Sequence, residues 1–430
     1  MMPTNAKKRH FLLLQGPHGP FFQQLGRMLT ATGAEVWRIG FNAGDAAFWR
    51  RKERLISFTG QPDQWPDTFR DILTDKQITD IVLYGDTRRI HAQAIEMAKE
   101  NGLTVHVFEE GYLRPYWATY ERGGANGHSR IMGMDVVEMR AALASDGAET
   151  PEVPGHWGNL RQHVFYGALY HWFVMFRNGA YRNFRPHRSL GVAQEFRLHL
   201  KSLLLMPWHA LDRILATVRI KWGGFPYHLA LLQLEHDASF QDHSSFDTMS
   251  DFLRLVIKGF ADGAPAHHHL VFKAHPLEDG RVPIPSDIRA LAREFGIRGR
   301  VHFVRGGKLA SLLNHARSVV TMNSTAAQQA LWRGLPLKAF GTAVYSKPEF
   351  VSQQNLADFF QHPTRPDIAA YRDYRQFLLE TSQLPGGFYA ARGRRQLLRR
   401  VVDMMLAPCD PYDALMKDTA APRQQLQVVK

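Results

Sequence analysis

Leu103-Thr104-Val105-His106-Val107-Phe108-Glu109-Glu110-Gly111-Tyr112-Leu113-Arg114-Pro115 is the stretch on which the fold turns. Its first seven residues are rich in β-branched and apolar side chains and read as a strand, Leu103–Glu109, which stops abruptly at two carboxylates and a glycine. Immediately upstream, Arg88–Asn101 carries helical spacing, and Thr79–Gly85 before it is another short apolar run. That is a βαβ unit. Further out, His10–Gln15 reads as a strand, Pro20–Thr32 as a helix and Glu35–Phe41 as a strand. Repeated βα units imply a parallel, doubly wound sheet. In such sheets ligands lie beyond the carboxyl ends of the strands. Gln15-Gly16-Pro17, Asp86 and Glu109-Glu110-Gly111 all follow predicted strands, so they are expected to share one rim.

After Gly223-Gly224 the same rhythm returns. Tyr227–Leu234, Leu270–Lys273, Val301–Val304, Ser318–Met322 and Leu335–Phe340 read as strands, with helices over Phe246–Phe260 and Ala326–Arg333. The expected fold class is α/β, with two Rossmann-like domains of doubly wound parallel sheet facing a central cleft. The expected boundaries are 1–150 for the first domain, 151–223 for a helical segment rich in aromatic and basic residues, 224–407 for the second domain and 408–430 for a loose polar tail.

Composition narrows the functional classes. In 430 residues, 53 Lys and Arg stand against 40 Asp and Glu, a net charge of +13, which favours anionic partners. The basic residues are scattered and no nucleic-acid motif is present, so nucleic acid is not an expected partner. The single cysteine, Cys409, excludes an internal disulfide framework and a multi-cysteine zinc site. The apolar run Phe11–Leu14 is too short for a signal-peptide core, and every candidate spanning segment is interrupted by Lys, Arg or His. The expectation is a cytoplasmic protein, soluble or peripheral.

Three clusters carry recognisable chemistry. Asn323-Ser324-Thr325 ends a predicted strand and opens a helix, where hydroxyl groups, free N–H groups and the positive dipole end suit a phosphate; a plain helix cap uses the same residues. Lys273 and His275 share a strand face by the period of two, and Pro276 holds His275 extended. The neighbouring His267-His268-His269 lacks a carboxylate at ligand spacing and reads as a solvated loop. At Glu109-Glu110-Gly111 alternation sends the carboxylates to opposite sides of the strand, so one of them is expected in the cleft. There it can act as nucleophile or base, with Arg114 offsetting local charge and keeping it ionised. A surface ion pair is the competing reading.

These residues resemble the bacterial capsule polysaccharide biosynthesis and export proteins, in particular the KpsS/LipB-like β-Kdo transferases. The resemblance rests on Leu14-Gln15-Gly16-Pro17 with Pro20-Phe21-Phe22, and on Glu109-Glu110-Gly111-Tyr112-Leu113-Arg114-Pro115. It rests also on Leu231-Leu232-Gln233-Leu234-Glu235-His236-Asp237 with His243-Ser244-Ser245-Phe246, on Phe272-Lys273-Ala274-His275-Pro276-Leu277, and on Asn323-Ser324-Thr325-Ala326-Ala327-Gln328-Gln329-Ala330-Leu331. These occur in the family's order from about residue 11 to 350. One departure is Ala327-Gln328, where the family usually has Gly-Leu.

The resemblance implies a GT-B-like fold and transfer of Kdo, an acidic eight-carbon sugar, from CMP-β-Kdo to a lysophosphatidylglycerol-type acceptor on the inner leaflet. The family's second carboxylate falls on Glu110, with Glu109 beside it. Gln233, Lys273, His275, Pro276, Asn323, Ser324 and Thr325 fall around the donor, and Gln15, Gly16, Pro17, Asp86, Gly111, Arg114, Asp237 and His243 elsewhere in the cleft. Lys273, Arg114 and Arg305 are alternative partners for the Kdo carboxylate. A β-linked donor giving a β-linked product implies retention, achieved by two displacements through a carboxylate-bound sugar, with Glu110 as nucleophile. No metal and no tightly bound cofactor are expected.

In the middle segment, Trp157, Phe165, Tyr166, Tyr170, Trp172, Phe173 and Phe176 alternate with Arg161, His171 and Arg177. Together with Arg182, Arg185, Arg188, Lys201, Arg213, Arg219 and Lys221 they suit the headgroup level of an anionic membrane. An interdomain core is the competing reading for the inward half of the aromatics. The expected partners are CMP-Kdo, an anionic phospholipid acceptor, the inner-leaflet surface and other capsule assembly proteins. A UDP-sugar transferase or epimerase of the same architecture, and a non-catalytic export adaptor, are the alternatives.

Overall fold

The computed structural model describes residues 8–143, 158–184, 205, 208, 211–212, 214–235, 240, 246–275, 278, 280–305 and 307–417. The chain divides into two compact units: Met1–His187 with Gln376–Lys430, and Arg188–Arg375.

The first unit is built on a seven-stranded sheet of order β12-β6-β5-β4-β1-β2-β3. Its strands are β1 (His10–Leu13), β2 (Glu35–Gly40), β3 (Leu55–Ser57), β4 (Asp80–Tyr84), β5 (Thr104–Glu110), β6 (Trp117–Arg122) and β12 (Gln383–Pro385). The strands β5-β4-β1-β2-β3 pair in parallel, as the βα rhythm requires. β6 and β12 add antiparallel pairings at one side. Both sheet faces are buried. Phe11, Leu13, Val82 and Phe108 pack on one side, and Leu12, Ile81, Leu83, Val105 and Val107 on the other. This is why the strands read as continuous apolar runs.

The second unit is a five-stranded, all-parallel sheet of order β11-β10-β7-β8-β9. Its strands are β7 (Tyr227–Leu231), β8 (His269–Lys273), β9 (Val301–Val304), β10 (Ala316–Thr321) and β11 (Leu337–Ala339). The helix Met249–Gly263 begins with a Thr248/Asp251 capping box and buries Phe252, Leu253, Val256 and Phe260 against this sheet.

The chain leaves the second unit earlier than its rhythm indicates. Residues from Gln376 onward belong to the first unit, where β12 pairs with β6 and the helix Ala391–Leu406 buries Leu397, Val401 and Met405 in the same core as Phe21 and Phe108. The boundary at 407 is therefore corrected to near 375. The loose tail expected over 408–430 is corrected only at its start, where Pro411–Met416 is a helix whose cap Asp410 accepts from the Tyr412 N–H and whose Tyr412 is buried; residues 418–430 lie outside the described residues.

Candidate active site

In the first unit the parallel strands β1, β4 and β5 lie side by side, so their carboxyl ends bring Gln15, Asp86, Glu109 and Glu110 to one rim, as expected. Phe108 lies in one core and Val107 in the other, so Glu110 and Glu109 leave β5 on opposite faces. Glu110 sits on the face of Tyr84, whose hydroxyl donates to Glu110 Oε1 at 3.0 Å. Tyr389 hydrogen-bonds Tyr84 in turn, and His163 stacks on Tyr389 with ring centroids 3.9 Å apart.

Glu109 turns back on the strand end. Its Oε1 accepts the backbone N–H of Glu110 at 2.8 Å. Burial pushes its carboxyl up to about 7; the charges of Glu110 and Asp86 add to this, and Arg114 opposes it only weakly. Arg114, expected to offset charge at the cleft carboxylate, is exposed and donates from Nε to the Gly111 carbonyl at 3.3 Å, and it makes no hydrogen bond to either glutamate among the described residues.

The turn after Glu110 is fixed from far along the chain. Gln383 of β12, fully enclosed, accepts the N–H groups of Tyr112 and Leu113 at 2.8 and 3.3 Å and donates to Thr119 Oγ1 at 3.0 Å. Gly111 is required here because a Cβ would lie 2.3 Å from the Trp117 carbonyl oxygen. Asp86 is 2% exposed; its Oδ2 accepts from the Ala125 N–H at 2.8 Å and lies 3.1 Å from His128 Nδ1, while Oδ1 has no partner among the described residues.

Gln15 joins a second buried network. Its Nε2 donates to Asp45 Oδ2 at 3.2 Å and to the Tyr170 hydroxyl at 3.1 Å, and Arg88 Nη1 donates to its Oε1 at 2.5 Å. Asn42 Nδ2 donates to the same hydroxyl at 2.7 Å, and Arg38 pairs with Asp45 at 3.3 Å. Gly16 and Pro17 follow Gln15 in the loop that leads to the helix Phe21–Ala31.

In the second unit Gln233 and Asn323 follow the adjacent strands β7 and β10 and bond reciprocally. Gln233 Nε2 donates to Asn323 Oδ1 at 2.7 Å, and the Asn323 N–H donates to Gln233 Oε1 at 3.2 Å. Ser324 Oγ accepts from the Ala326 N–H at 3.3 Å, and Tyr345 donates to the Ser324 carbonyl at 2.8 Å. The helix expected over Ala326–Arg333 is shorter: Thr325–Ala327 is a 3₁₀ turn and Gln328–Leu331 a single helical turn. Few peptide dipoles align in one turn, so hydroxyls and backbone N–H groups, rather than a macrodipole, are what this end offers a phosphate.

Lys273, 6% exposed, ends β8 with Nζ 3.4 Å from the Ala274 carbonyl, and burial lowers its pKa. His275 follows it, half-buried. Arg305 pairs with Asp212 at 3.6 Å. Pro276, Asp237 and His243 lie outside the described residues, as do Trp157, Arg185, Arg188, Lys201 and Arg213. The histidine tract is a solvated loop only at its first residue: His267 is exposed in a turn, as expected, and the next two depart from the expectation. His268 is buried with Nδ1 3.0 Å from His228 Nε2, and His269 opens β8 with Nδ1 2.8 Å from His302 Nε2. Strand pairing of β8 with β7 and β9 draws these imidazoles inward.

Comparison with known proteins identifies the family. The capsule polysaccharide biosynthesis protein family matches residues 79–389, a span that includes Asp86, Glu109, Glu110, Gln233 and Asn323 but not Gln15. The chain belongs to this family. The capsule polysaccharide modification protein LipB of Neisseria meningitidis serogroup A is 32% identical over 387 residues, covering 89% of this chain and 92% of LipB. The capsule polysaccharide export protein KpsS of Escherichia coli is 29% identical over 383 residues, covering 89% of this chain and 97% of KpsS. Among solved structures, the β-Kdo 2,7 transferase KpsC of Thermosulfurimonas dismutans superposes with a TM-score of 0.43 at 12% identity, covering 92% of this chain and 100% of that one. At that identity the likeness concerns the fold alone.

For this capsule family member, sequence reading missed Tyr84, Arg88, Gln383 and Tyr389. Tyr84 and Arg88 flank Asp86 at the end of β4, and that position is the signal that could have found them. Gln383 and Tyr389 come from a return segment whose strand is three residues long, too short to show a period.

Proposed function

We propose that this protein is a retaining β-Kdo glycosyltransferase that moves Kdo from CMP-β-Kdo to a (lyso)phosphatidylglycerol acceptor, starting the glycolipid anchor of a capsular polysaccharide. The observation that carries the reading is Glu110, a carboxylate at a strand end, oriented by Tyr84 on a turn that Gln383 holds rigid. A nucleophile needs this kind of fixed geometry. In the first step a Glu110 oxygen attacks the anomeric carbon, the bond from that carbon to the CMP phosphate oxygen breaks, and CMP departs with the electron pair. In the second, an acceptor hydroxyl attacks the same carbon, frees Glu110 and loses its proton to water. Inversion twice gives retention. Glu109 acts by positioning, through the N–H of Glu110.

The nucleotide is assigned to the strand-end cluster of the second unit, with His275 and the Gln233/Asn323 pair near the base and ribose, and Ser324 and Thr325 near the phosphate. Membership of the capsule family supports this assignment, as does the reciprocal Gln233/Asn323 bonding that holds both amides in place.

A lipid acceptor accords with the helix Leu160–Phe176. Val164, Phe165, Trp172, Met175 and Phe176 are all exposed and recur at helical spacing on one face. The opposite face carries Tyr170, 7% exposed and bonded into the Gln15/Asp45 network. The aromatics expected at a membrane thus divide: Tyr170 is structural, and Phe165, Trp172 and Phe176 remain available to headgroups, with Arg161 and Arg177 exposed beside them. Among the described residues no helix is long and apolar enough to cross a membrane.

The test is incubation of the purified chain with CMP-Kdo and a fluorescent lysophosphatidylglycerol, followed by mass analysis. A gain of one Kdo is the expected product. Turnover with a UDP-sugar and none with CMP-Kdo would instead identify a different sugar-nucleotide enzyme.

A further inference from the structure

The amino ends of the second unit's strands carry a cavity that neither the family nor the donor cluster explains. It has a volume of about 670 Å³ and is walled by the start of β10, the turn before β11 and the loop that follows the helix Leu356–Gln361. Arg317, Arg333 and Arg365 line it together with His362, Leu335 and Pro363, and no Asp or Glu is among its lining residues. Arg317 is the second residue of β10 and Asn323 lies two past its last, so six residues at ~3.3 Å each put this cavity roughly 20 Å from the donor cluster.

Three guanidinium groups around one hollow without a counter-charge repel one another, and surface arginines ordinarily find a carboxylate or spread into solvent. Here Arg317 and Arg365 make no hydrogen bond or ion pair among the described residues, which leaves both forks available. Arg333 is held by neutral acceptors, Nε to Asn314 Oδ1 at 3.3 Å and Nη1 to the Gln329 carbonyl at 2.8 Å, so it keeps its charge and loses its freedom. The opposing loop is fixed as well. Gln354 Oε1 accepts from the Thr364 N–H and hydroxyl at 3.2 and 3.0 Å, and Gln354 Nε2 donates to the His362 carbonyl at 3.0 Å. Walls set before a ligand arrives lower the ordering cost of binding.

We propose that this cavity is a second anion site, separate from the donor cluster, that binds a phosphate group carried on a small polar molecule. A phosphate presents several oxygens and can satisfy more than one guanidinium fork at once. The volume exceeds that of a bare ion and falls in the range of roughly 300 to 1,000 Å³ usual for small-molecule sites. Leu335 and Pro363 supply an apolar edge for the carrier. The same chemistry is offered by a soluble phosphorylated compound and by a phospholipid headgroup.

The test uses the full chain and inorganic pyrophosphate, followed by calorimetry at physiological salt. Two double variants accompany the wild type: Arg317→Gln with Arg365→Gln, and Asn323→Ala with Ser324→Ala. Both arginines are exposed, so the first variant is expected to keep the wild-type circular dichroism spectrum. Pyrophosphate binding is expected to weaken tenfold or more in the arginine variant and to persist in the Asn323/Ser324 variant. Equal binding by wild type and arginine variant, no wild-type binding at millimolar pyrophosphate, or loss only in the Asn323/Ser324 variant would each overturn the proposal. Flotation with phosphatidylglycerol and with phosphatidylcholine vesicles separates the sources. If the arginine variant loses the preference for phosphatidylglycerol, the phosphate is a headgroup; if the preference survives while pyrophosphate binding is lost, it is soluble.

Discussion

Tyr84 and Glu110 leave the neighbouring parallel strands β4 and β5 on one face, and the tyrosine hydroxyl donates to the carboxylate at 3.0 Å. That bond fixes which oxygen of Glu110 is free to react. A hydrogen bond to a charged group is worth about 1.5 to 3 kcal/mol, so Tyr84→Phe should lower kcat by roughly 10- to 100-fold while KM for the donor changes little. Steady-state kinetics over a donor series check this. A large rise in KM at unchanged kcat would assign Tyr84 to donor binding instead.

Glu109 makes the first unit sensitive to pH in an unusual direction. Its carboxyl titrates near 7 in the fold, because of burial, against 4.5 when exposed, so the folded state holds its proton more tightly. Between these values stability falls as pH rises, and above about 7 the cost of the buried charge is complete. Glu109→Gln keeps an acceptor for the Glu110 N–H and removes the charge. The variant should be more stable than wild type at pH 8, by about 1 to 3 kcal/mol, and should show little advantage at pH 4. Denaturant titration at the two pH values measures the difference.

The second unit should respond oppositely. Burial holds His228 down to about 3 and His302 down to about 4, against 6.5 for free imidazole. Their neutral forms fit the fold, so stability is fully present above 6.5 and is lost as pH falls from there toward 4. Amide exchange in β7 to β9 should accelerate between pH 7 and 5 beyond its intrinsic pH dependence, and His228→Gln should remove part of that change. Exchange protection unchanged across this range would refute the assignment.

Phe176 is 64% exposed and Trp172 45% exposed, on the face of the Leu160–Phe176 helix opposite Tyr170. Replacing both by Asp removes two groups worth roughly 1.5 to 3 kcal/mol each on burial. Flotation with phosphatidylglycerol vesicles should fall at least tenfold while circular dichroism stays unchanged. Equal flotation of variant and wild type would remove this helix from any membrane role.

How much of this was legible in the residues follows the length of the signal. The parallel strands at the centre of both sheets were readable because buried runs such as Phe11–Leu14 and Leu270–Phe272 are apolar without break, whereas β3 and the antiparallel β6 and β12 were not. The rim holding Gln15, Asp86 and Glu109 followed from strand order. What escaped was long-range. Gln383 and Tyr389 reach the Glu110 turn from some 270 residues away, through a strand too short to announce itself. His268 and His269 were misread because polar residues in a row resemble a loop until neighbouring elements enclose them, whereas His267 is the exposed turn residue expected. The helix after Ser324 was overestimated because Gln328-Gln329-Ala330-Leu331 are all good helix formers, which suggests a continuation that Gly334, with a positive φ of 66°, ends.

The central claim is that Glu110 carries the sugar between the two displacements. Wild-type protein mixed with CMP-Kdo without acceptor, quenched in acid and digested, should yield a peptide containing Glu110 enlarged by one Kdo residue. Fragmentation should place the added mass on that side chain, and Glu110→Gln, folded normally, should lose both the adduct and the transfer activity by a factor of about a thousand or more. Full activity in Glu110→Gln, or an adduct mapped to another residue, would contradict the account.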